Sequence, residues 1–409
     1  MNVYDILNDK GLIKDVTDSE IKNRLKRPIS LYCGFDPTAD SLHVGHLLPI
    51  MLLKNFEVKG HTPIILVGGA TGCIGDPSFK KDERKLSSLE TVQAYSKSLE
   101  KQLSQYFDNA VFLNNYEWIS KIDTITFLRD YGKAFSINNM IAKEAVSSRM
   151  DTGLSFTEFS YPILQALDFK HLAEHHNCEL QIGGSDQWGN ITAGTDLIRK
   201  TSDKKVYGLT VPLFTKSDGT KFGKTEGGAV WLDPLKTSPY EMYQFFLATD
   251  DNDVINCLKY FTLLDLSSIE ELEQSLKEEP FKKEAHKVLA YQVTSFVHGK
   301  DNADNAIKIS NMLFSGDIKD IKADDIKDNF INETIYDIND NVSILDLLIT
   351  TNLASSKREA REFISNNSIS INSQKITSEE DIISKDRAID NVYLLIKRGK
   401  KNYAFAMFN

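Results

Sequence analysis

Three stretches of the chain pass from an apolar segment directly into glycines and polar residues. Residues 28–33, 62–69 and 179–182 are each predicted to form a strand, and the second of them is a continuous apolar run. Such runs are typical of strands that are buried on both faces of a parallel sheet. Because open α/β sheets bind ligands at the carboxyl ends of their strands, the residues after these strands are predicted to meet at one site.

Helical spacing of apolar residues predicts helices in much of the remaining chain. We expect them at 1–27, 47–56, 91–107, about 118–148 and 156–169. Residues 238–314 have a helical pattern without another strand that ends in glycines. Residues 344–348 and 355–364 predict two more helices, and 368–372 alternate as a strand does.

These patterns divide the chain into domains. Residues 301–340 hold ten Asp or Glu against four Lys or Arg, and the end of this acidic stretch is predicted to be a linker. The sequence therefore predicts an α/β domain at 1–237, an α-helical domain at 238–330, a linker at 331–341 and a small α+β domain at 342–409.

The composition is that of a globular protein of two or three domains. The 409 residues are 41% hydrophobic and 26% charged, and the formal net charge is −10. This charge argues against broad, sequence-independent binding of nucleic acid but leaves room for a local basic patch. The sequence has no apolar run that could cross a bilayer and no signal-peptide pattern, and its four cysteines are scattered. We therefore expect a cytoplasmic protein without a membrane partner.

The turn after the first predicted strand is a candidate anion site. His43 and His46 flank Gly45 at the start of a predicted helix, where unpaired N–H groups and the helix dipole favour an anion. Far along the chain, Lys221 and Lys224 lie in a glycine-flanked loop, and both could reach one polyphosphate. Taken alone, the first stretch could be a strand–helix connection with two incidental histidines, since such short motifs recur by chance.

The helix predicted at 156–169 carries three polar residues on one face. Tyr161, Gln165 and Asp168 are spaced at i, i+4 and i+7. Such residues are unusual core fillers unless they pair with polar groups. They could form either a ligand site or a satisfied structural network.

The stretches 32–46 (YCGFDPTADSLHVGH) and 221–225 (KFGKT) resemble the paired HIGH and KMSKS signatures of class I aminoacyl-tRNA synthetases. The longer context of the first stretch is similar to bacterial-type tyrosyl-tRNA synthetases, and the resemblance extends over nearly the whole chain. It implies a Rossmann-type parallel sheet in the catalytic domain at 1–237, with a helical insertion at about 118–148 that forms a dimer seam. It also implies a mobile signature loop at 221–225, an anticodon-side helical domain at 238–330 and a ribosomal-protein-type RNA-binding domain at 342–409.

The implied activity is that of a tyrosine–tRNA ligase. Tyrosine and ATP give tyrosyl-adenylate and pyrophosphate, and the tyrosyl group then passes to the 3′ end of tRNA(Tyr). The implied partners are L-tyrosine, ATP with Mg²⁺, tRNA(Tyr) and a second copy of the chain, with Phe156 at the interface. No structural metal is expected, because the sequence shows no metal-ligand pairing.

The resemblance also implies a role for particular residues. Catalytic roles in holding and neutralising the phosphates fall on Thr38, His43, His46, Lys80, Arg84, Lys221, Lys224 and Thr225. Tyrosine binding falls on Tyr32, Asp76, Tyr161, Gln165, Asp168 and Gln187. ATP and adenylate binding falls on Cys33, Gly34, Asp36, Gly45, Gly183, Gly184 and Asp186. Binding of tRNA falls on Arg199, Lys200, Lys357, Arg358 and Arg361, although solvated helix faces would have the same pattern.

Three other functions compete with this interpretation. A smaller nucleotidyltransferase shares the H-x-G-H turn but should lack the helical and RNA-binding segments. A tryptophan-specific synthetase should lack the pair of Tyr32 and Asp168. A non-catalytic RNA-binding relative should have lost His43, His46 or the two lysines of the loop, whereas this sequence keeps them.

Overall fold

The computed structural model describes residues 2–78, 87–147, 153–217, 219, 222–225, 228–315, 321–399 and 402–409. Its helices, in chain order, are α1 (Val3–Asp9), α2 (Ile21–Arg24), α3 (Leu47–Val58), α4 (Leu89–Leu103), α5 (Tyr116–Ile119), α6 (Thr124–Thr126), α7 (Ile137–Ile141), α8 (Glu144–Ser147), α9 (Phe156–His175), α10 (Trp188–Thr201), α11 (Pro239–Leu247), α12 (Val254–Phe261), α13 (Leu266–Glu278), α14 (Glu284–His298), α15 (Lys300–Ser315), α16 (Ala323–Asn329), α17 (Ile344–Thr350) and α18 (Lys357–Ser365).

The strands are β1 (Asp15–Val16), β2 (Ser30–Phe35), β3 (Thr62–Val67), β4 (Val111–Asn114), β5 (Cys178–Gly184), β6 (Tyr207–Val211), β7 (Lys224–Thr225), β8 (Gly228–Ala229), β9 (Ile335–Ile338), β10 (Val342–Ser343), β11 (Ile369–Ile371), β12 (Gln374–Lys375), β13 (Ile382–Ile383), β14 (Tyr393–Arg398) and β15 (Asn402–Phe408). The chain forms two compact units. Residues Met1–Leu232 and Asp250–Ala285 make up the first, and Asp233–Thr249 and His286–Asn409 make up the second.

The first unit is built on a six-stranded sheet in the order β1-β6-β5-β2-β3-β4. Its strands pair in parallel except for the edge pair of β1 and β6. From β2 the chain continues outward to β3 and β4, whereas from β5 it continues in the other direction to β6. The crevice between β2 and β5 is therefore the topological switch point, where sheets of this type bind ligands. The α/β fold that the sequence predicts is confirmed.

The strands follow from the apolar runs in the sequence. Ile64, Ile65, Leu66 and Val67 of β3 are all buried, as expected for a strand covered on both faces. Helix α9 is longer than predicted and continues to His175. The predicted helical insertion divides into several short helices between α5 and α8, one of them a π-helical segment at Phe127–Tyr131.

The second unit contains the terminal sheet, in the order β12-β11-β14-β15-β9. Strand β9 lies within 331–341, the predicted linker, and pairs in parallel with β15 from Ile335 to Ile338. Part of the predicted linker is thus a sheet strand, because its apolar residues complete the edge of the terminal sheet.

The helical stretch at 238–330 is divided between the two units. Helix α12 belongs to the first unit, where its buried Val254, Cys257 and Leu258 lie and where it packs against α3. Helices α11 and α15 pack together in the second unit. The domain boundaries that the sequence suggests remain a prediction.

Candidate active site

A cavity of about 350 Å³ opens at the carboxyl ends of β2 and β5. Fifteen of the residues singled out from the sequence line it, namely Tyr32, Cys33, Gly34, Asp36, Thr38, Gly45, His46, Asp76, Tyr161, Gln165, Asp168, Gly183, Gly184, Asp186 and Gln187. They come from β2, the turn before α3, the glycine-rich segment after β3, helix α9 and the end of β5. The chain thus brings its separate strand ends to a single crevice.

Asp168 is held in place at the buried end of the cavity. Its Oδ2 accepts a hydrogen bond of 2.9 Å from the Asn115 side-chain amide, and its Oδ1 accepts one of 2.9 Å from the indole Nε1 of Trp118. Burial raises the pKa of this carboxyl to about 7, against the lowering effect of the two donors. Only 2% of Asp168 is exposed, so a ligand that reaches it is itself removed from water.

Two polar atoms near this end have no hydrogen-bond partner among the described residues. They are the Tyr32 hydroxyl and the Gln181 side-chain carbonyl oxygen, both fully buried. Tyr32 and Gln181 are paired residues on the parallel strands β2 and β5, and both line the cavity. Burial, and then the nearby Asp168, raise the pKa of Tyr32 well above its usual value, so the hydroxyl keeps its proton. An unpaired buried hydroxyl is costly, and a polar ligand would remove that cost.

A hydrogen-bonded network forms one wall of the cavity. Asp36 accepts a bond of 2.8 Å from the Tyr161 hydroxyl and one of 2.7 Å from the Thr71 hydroxyl. Asn115 links this network to the buried end, because its side-chain nitrogen also donates to Thr71 Oγ1 at 3.0 Å. Tyr161 is therefore held by Asp36 at the edge of the space that Asp168 closes.

A second chain of hydrogen bonds lies across the cavity. The Gln187 amide donates to Asp76 at 2.7 Å, and the Gln165 amide donates to Gln187 at 3.2 Å. Asn190 donates to both glutamines, at 3.0 and 3.1 Å. The Asp76 carboxylate is thus fixed with one oxygen on an amide and one on the backbone N–H of Ser78. Such a group can receive an ammonium ion.

The two histidines of the first signature are fixed by the backbone around them. His43 Nδ1 accepts from the Gly45 N–H at 3.0 Å, and His46 Nδ1 accepts from the His43 N–H at 3.2 Å. A neutral ring whose Nδ1 accepts carries its hydrogen on Nε2, so each ring can act as an Nε2–H donor. Burial, followed by the neighbouring His43, lowers the pKa of His46 to about 3, which keeps His46 uncharged. Both side chains are thereby held by the backbone in the tautomer whose hydrogen is on Nε2.

The second signature contacts the first through glycines. A Cβ at Gly223 would come within 3.3 Å of the Gly45 amide nitrogen, and one at Gly45 would come within 2.7 Å of the His43 ring. Lys80, Arg84 and Lys221 lie outside the described residues. Lys224 and Thr225 form β7, which pairs with β8, and only their backbone is described.

None of the residues predicted to bind tRNA belongs to the cavity lining described above. Arg199 forms an ion pair with Asp196 at 3.1 Å, and the amino group of Lys200 donates to the Ala134 carbonyl at 2.7 Å. In the second unit, three basic residues lie on the exposed side of α18, and two of them have acidic partners at 2.7 Å: Lys357 with Asp346, and Arg361 with Glu379, beside the exposed Arg358.

Sequence reasoning missed four residues of the site. They lie outside the signature stretches 32–46 and 221–225, yet they line the buried end of the cavity or hold the residues that do. These four are Thr71, Asn115, Trp118 and Gln181. Two of them were accessible in principle. Asn115 directly follows β4, and Thr71 lies in the glycine-rich segment after the strand predicted at 62–69. Both are at strand ends, where ligand sites form.

Comparison with known proteins assigns the chain to a family. Residues 23–315 match the family described as tRNA synthetases class I (W and Y), and residues 325–406 match the tyrosine–tRNA ligase SYY-like C-terminal domain. A tyrosine–tRNA ligase of Bacillus cereus is 50% identical over 98% of this chain and 99% of its own length. One of Bacillus pumilus is 52% identical over 97% of each. The chain belongs to the tyrosine–tRNA ligase family.

Solved structures agree with this membership. A C-terminally truncated mitochondrial tyrosyl-tRNA synthetase of Aspergillus nidulans is 33% identical and superposes with a TM-score of 0.69, covering 76% of this chain and 94% of the fungal one. A tyrosyl-tRNA synthetase of Archaeoglobus fulgidus, complexed with L-tyrosine, shares the fold at 17% identity, with a TM-score of 0.57 over 75% of this chain and all of the archaeal one. The first family model includes both tryptophan- and tyrosine-specific synthetases, whereas the second is specific to tyrosine–tRNA ligases. The two matches together therefore favour a tyrosine-specific synthetase over a tryptophan-specific one.

The described residues contain neither a membrane-spanning helix nor a cluster of metal-ligating side chains. Within those residues, no helix is long and apolar enough to cross a membrane. In the same part of the chain, no group of three or more His, Cys, Asp or Glu side chains could hold a metal ion.

Proposed function

We propose that this cavity activates tyrosine with ATP and that the chain then transfers the tyrosyl group to tRNA(Tyr). The observation that supports the choice of amino acid is the buried hydroxyl of Tyr32 near Asp168, for which the described residues supply no hydrogen-bond partner. The phenol of tyrosine would donate to Asp168 and accept from Tyr32, which satisfies both groups. Phenylalanine would leave the Tyr32 hydroxyl unpaired and would give Asp168 no donor beyond Asn115 and Trp118, and an unsatisfied buried polar group costs about 1–3 kcal/mol.

The remaining polar groups of the cavity suit the main chain of the amino acid and the nucleotide. Asp76, Tyr161, Gln165 and Gln187 would surround the α-amino group, which is a cation. Cys33, Gly34, Asp36, Gly45, Gly183, Gly184 and Asp186 would contact the adenosine part. Burial, followed by the nearby Asp76, raises the pKa of Asp186 above its usual value. Because this carboxyl is poorly solvated, a ribose hydroxyl would replace water as its hydrogen-bond donor.

The chemistry of activation needs orientation and charge stabilisation rather than a protein nucleophile. A carboxylate oxygen of tyrosine attacks the α-phosphorus of ATP, the bond to the bridging oxygen breaks, and pyrophosphate leaves with the electron pair. Thr38, His43 and His46 would donate hydrogen bonds to the phosphates. Lys80, Arg84, Lys221, Lys224 and Thr225 would supply cationic charge and a hydroxyl there. Mg²⁺ would arrive with ATP as part of the metal–nucleotide substrate.

The second step needs the 3′ end of tRNA(Tyr) at the same cavity. A ribose hydroxyl of the terminal nucleotide attacks the carbonyl carbon of the adenylate, and AMP leaves. We propose that Arg199 and Lys200 meet the acceptor end and that Lys357, Arg358 and Arg361 contact the RNA from the terminal domain. We also propose that the chain acts as a cytoplasmic homodimer, with the helical insertion and Phe156 at the seam.

Exchange of labelled pyrophosphate into ATP tests the amino-acid assignment. Purified full-length protein is assayed with tyrosine, phenylalanine and tryptophan in turn, each with ATP and Mg²⁺. Exchange that depends on tyrosine, with far lower kcat/KM for the other two, is the expected result. Exchange with tryptophan alone, or with none of the three, would contradict the assignment. Charging of tRNA(Tyr) with labelled tyrosine then tests the second step.

A further inference from the structure

Helix α9 holds Trp118 at two points. The indole Nε1–H donates to Asp168 at 2.9 Å, and the indole ring stacks on the imidazole of His171 with centroids 4.1 Å apart and planes inclined by 11°. Asp168 and His171 are three residues apart on the same helix, so their side chains lie on one face. The tryptophan therefore bonds the carboxylate at its edge and contacts the histidine at its face.

The direction of the indole N–H depends on the orientation of the ring. Trp118 comes from α5, a helix of four residues, and its side chain is partly exposed. The group that packs on the face of a flat ring fixes the direction of the ring's edge. Stacked aromatic pairs also contribute free energy beyond that of the area they bury. Loss of the imidazole would let the indole tilt and would weaken its bond to Asp168. Hydrogen bonds weaken steeply as they depart from linearity.

The surroundings keep the imidazole uncharged. The ring centroids of His175 and His176 lie 4.5 Å and 6.0 Å from that of His171. Burial, then His175 and His176, lower the pKa of His171 to about 4, while Glu174 acts in the opposite direction. A neutral imidazole presents a flat face to the indole throughout the neutral pH range.

We propose that His171 is a positioning residue for amino-acid selection: by stacking on Trp118 it directs the indole N–H at Asp168 and so holds that carboxylate in place for the phenol of the substrate. The proposal rests on the proposed function, since it assumes that Asp168 receives the phenol. His171 itself does not line the cavity and would touch no substrate.

Four variants of the full-length protein separate this role from a general effect on folding. His171→Ala removes the stacked ring, His171→Leu fills the space without a flat ring, and His171→Phe restores one. His176→Ala removes a neighbouring imidazole, and the 6.0 Å between its ring and that of His171 makes it a matched control. Each is assayed by pyrophosphate exchange over a range of tyrosine and phenylalanine concentrations, and its thermal transition is recorded.

We expect His171→Ala and His171→Leu to raise the KM for tyrosine about two- to tenfold, the size of effect that aromatic pairs produce. The kcat should change less than twofold, and kcat/KM for phenylalanine should stay the same, because that substrate has no hydroxyl for Asp168. His171→Phe should return the tyrosine KM to within twofold of the original, and His176→Ala should leave it unchanged.

Several outcomes would overturn the positioning role. An unchanged tyrosine KM in both His171→Ala and His171→Leu would do so, and so would equal losses for tyrosine and phenylalanine. Failure of His171→Phe to recover a tyrosine KM that His171→Leu has lost would also contradict it. If the unmodified protein shows no exchange that depends on tyrosine, the proposed function fails and this inference fails with it. Normal exchange in the unmodified protein and in all four variants would overturn the inference alone.

Discussion

Gly223 lies against Gly45, although 178 positions separate them in the sequence. A Cβ on Gly223 would come within 3.3 Å of the Gly45 amide nitrogen and would also meet Val44. The backbone confirms this approach, because the Val44 N–H donates to the Val230 carbonyl at 2.8 Å, just after the loop that contains Gly223. The two signatures thus contact each other at the turn that carries His43 and His46.

Replacing Gly223 with alanine should impair activation without unfolding the protein. Gly223 has a φ of +89°, a conformation that costs an L-residue roughly 1–2 kcal/mol, and the added methyl would press on the turn that carries His43 and His46. We expect kcat/KM for ATP in pyrophosphate exchange to fall at least tenfold. Gly219→Ala is the matched control, since Gly219 has a φ of +78° but no atom of the described residues lies within 4 Å of its Cβ position. Equal losses in both variants would mean that backbone strain, and not the contact with Gly45, matters.

The pKa of Asp168 should appear in the pH dependence of tyrosine activation. In the proposed site the phenol donates to the ionised Asp168 carboxylate, and burial raises the pKa of this carboxyl to about 7. The kcat/KM for tyrosine, which reports the free enzyme, should therefore rise with pH and level off above about 7. Asp168→Asn should be much less active, and its kcat/KM for tyrosine should not show this rise with pH. If kcat/KM for Asp168→Asn rises with pH in the same way, the titrating group is not Asp168.

The same carboxyl should make stability depend on pH. Its folded pKa, about 7, lies above its ordinary value of 3.8, so between these values the folded protein binds a proton that the unfolded chain does not. The free energy of unfolding should therefore decrease as pH rises from about 4 to about 7 and then lose no more from this group. Urea unfolding of the original protein and of Asp168→Asn at pH 5 and pH 8 checks this. A difference between the two proteins that is the same at both pH values would contradict it.

Asn115 should matter for both stability and tyrosine binding. Its side chain donates to Asp168 and Thr71 and accepts from the Ala70 N–H at 2.7 Å, and it is fully buried. Asn115→Ala removes one hydrogen bond from Asp168 and one from Thr71, and it removes the acceptor of the Ala70 N–H. An unsatisfied buried polar group costs about 1–3 kcal/mol. We expect a clear fall in the midpoint of thermal unfolding and a rise in the KM for tyrosine larger than that in the KM for ATP. An equal rise in both KM values would argue against a role specific to the tyrosine end.

The sheet and most of the cavity lining could be predicted from the sequence because both depend on local pattern. Apolar runs that end in glycines mark β2, β3 and β5, and the carboxyl ends of parallel strands must meet at one edge. Helical spacing likewise put Tyr161, Gln165 and Asp168 on one face, and all three line the cavity.

Other features depend on contacts between distant segments and could not be predicted in this way. Trp118 donates a hydrogen bond to Asp168, which is 50 positions away in the sequence. Gln181 lines the cavity only because β5 pairs with β2 in one particular register. Strand β9 has only four residues, and it is a strand because it pairs with β15. Its apolar residues lie within an acidic stretch, and so short a run does not by itself indicate that pairing.

Arg358 should contribute to tRNA binding without affecting amino-acid activation. It is exposed on α18, whereas its neighbours Lys357 and Arg361 share their charge with Asp346 and Glu379. A residue that neutralises one phosphate changes the slope of log affinity against log salt by roughly one. Arg358→Ala should weaken tRNA(Tyr) binding severalfold, reduce that slope and leave pyrophosphate exchange unchanged. Unaltered tRNA affinity and slope would remove Arg358 from the RNA interface.

Phe156 should hold two copies of the chain together if the helical insertion forms the proposed dimer seam. Its side chain is 70% exposed, and Ile125, Leu128 and Ile137 in the preceding segment are 66%, 54% and 64% exposed, an unusual density of exposed apolar side chains. A charge at this position would have to be buried in a dimer, which is costly. Phe156→Asp should therefore shift sedimentation at micromolar concentration from dimer to monomer. Phe281→Asp is the control, because Phe281 is 79% exposed in a different segment and should not alter assembly. A monomeric unmodified protein, or a dimeric Phe156→Asp variant, would contradict the seam.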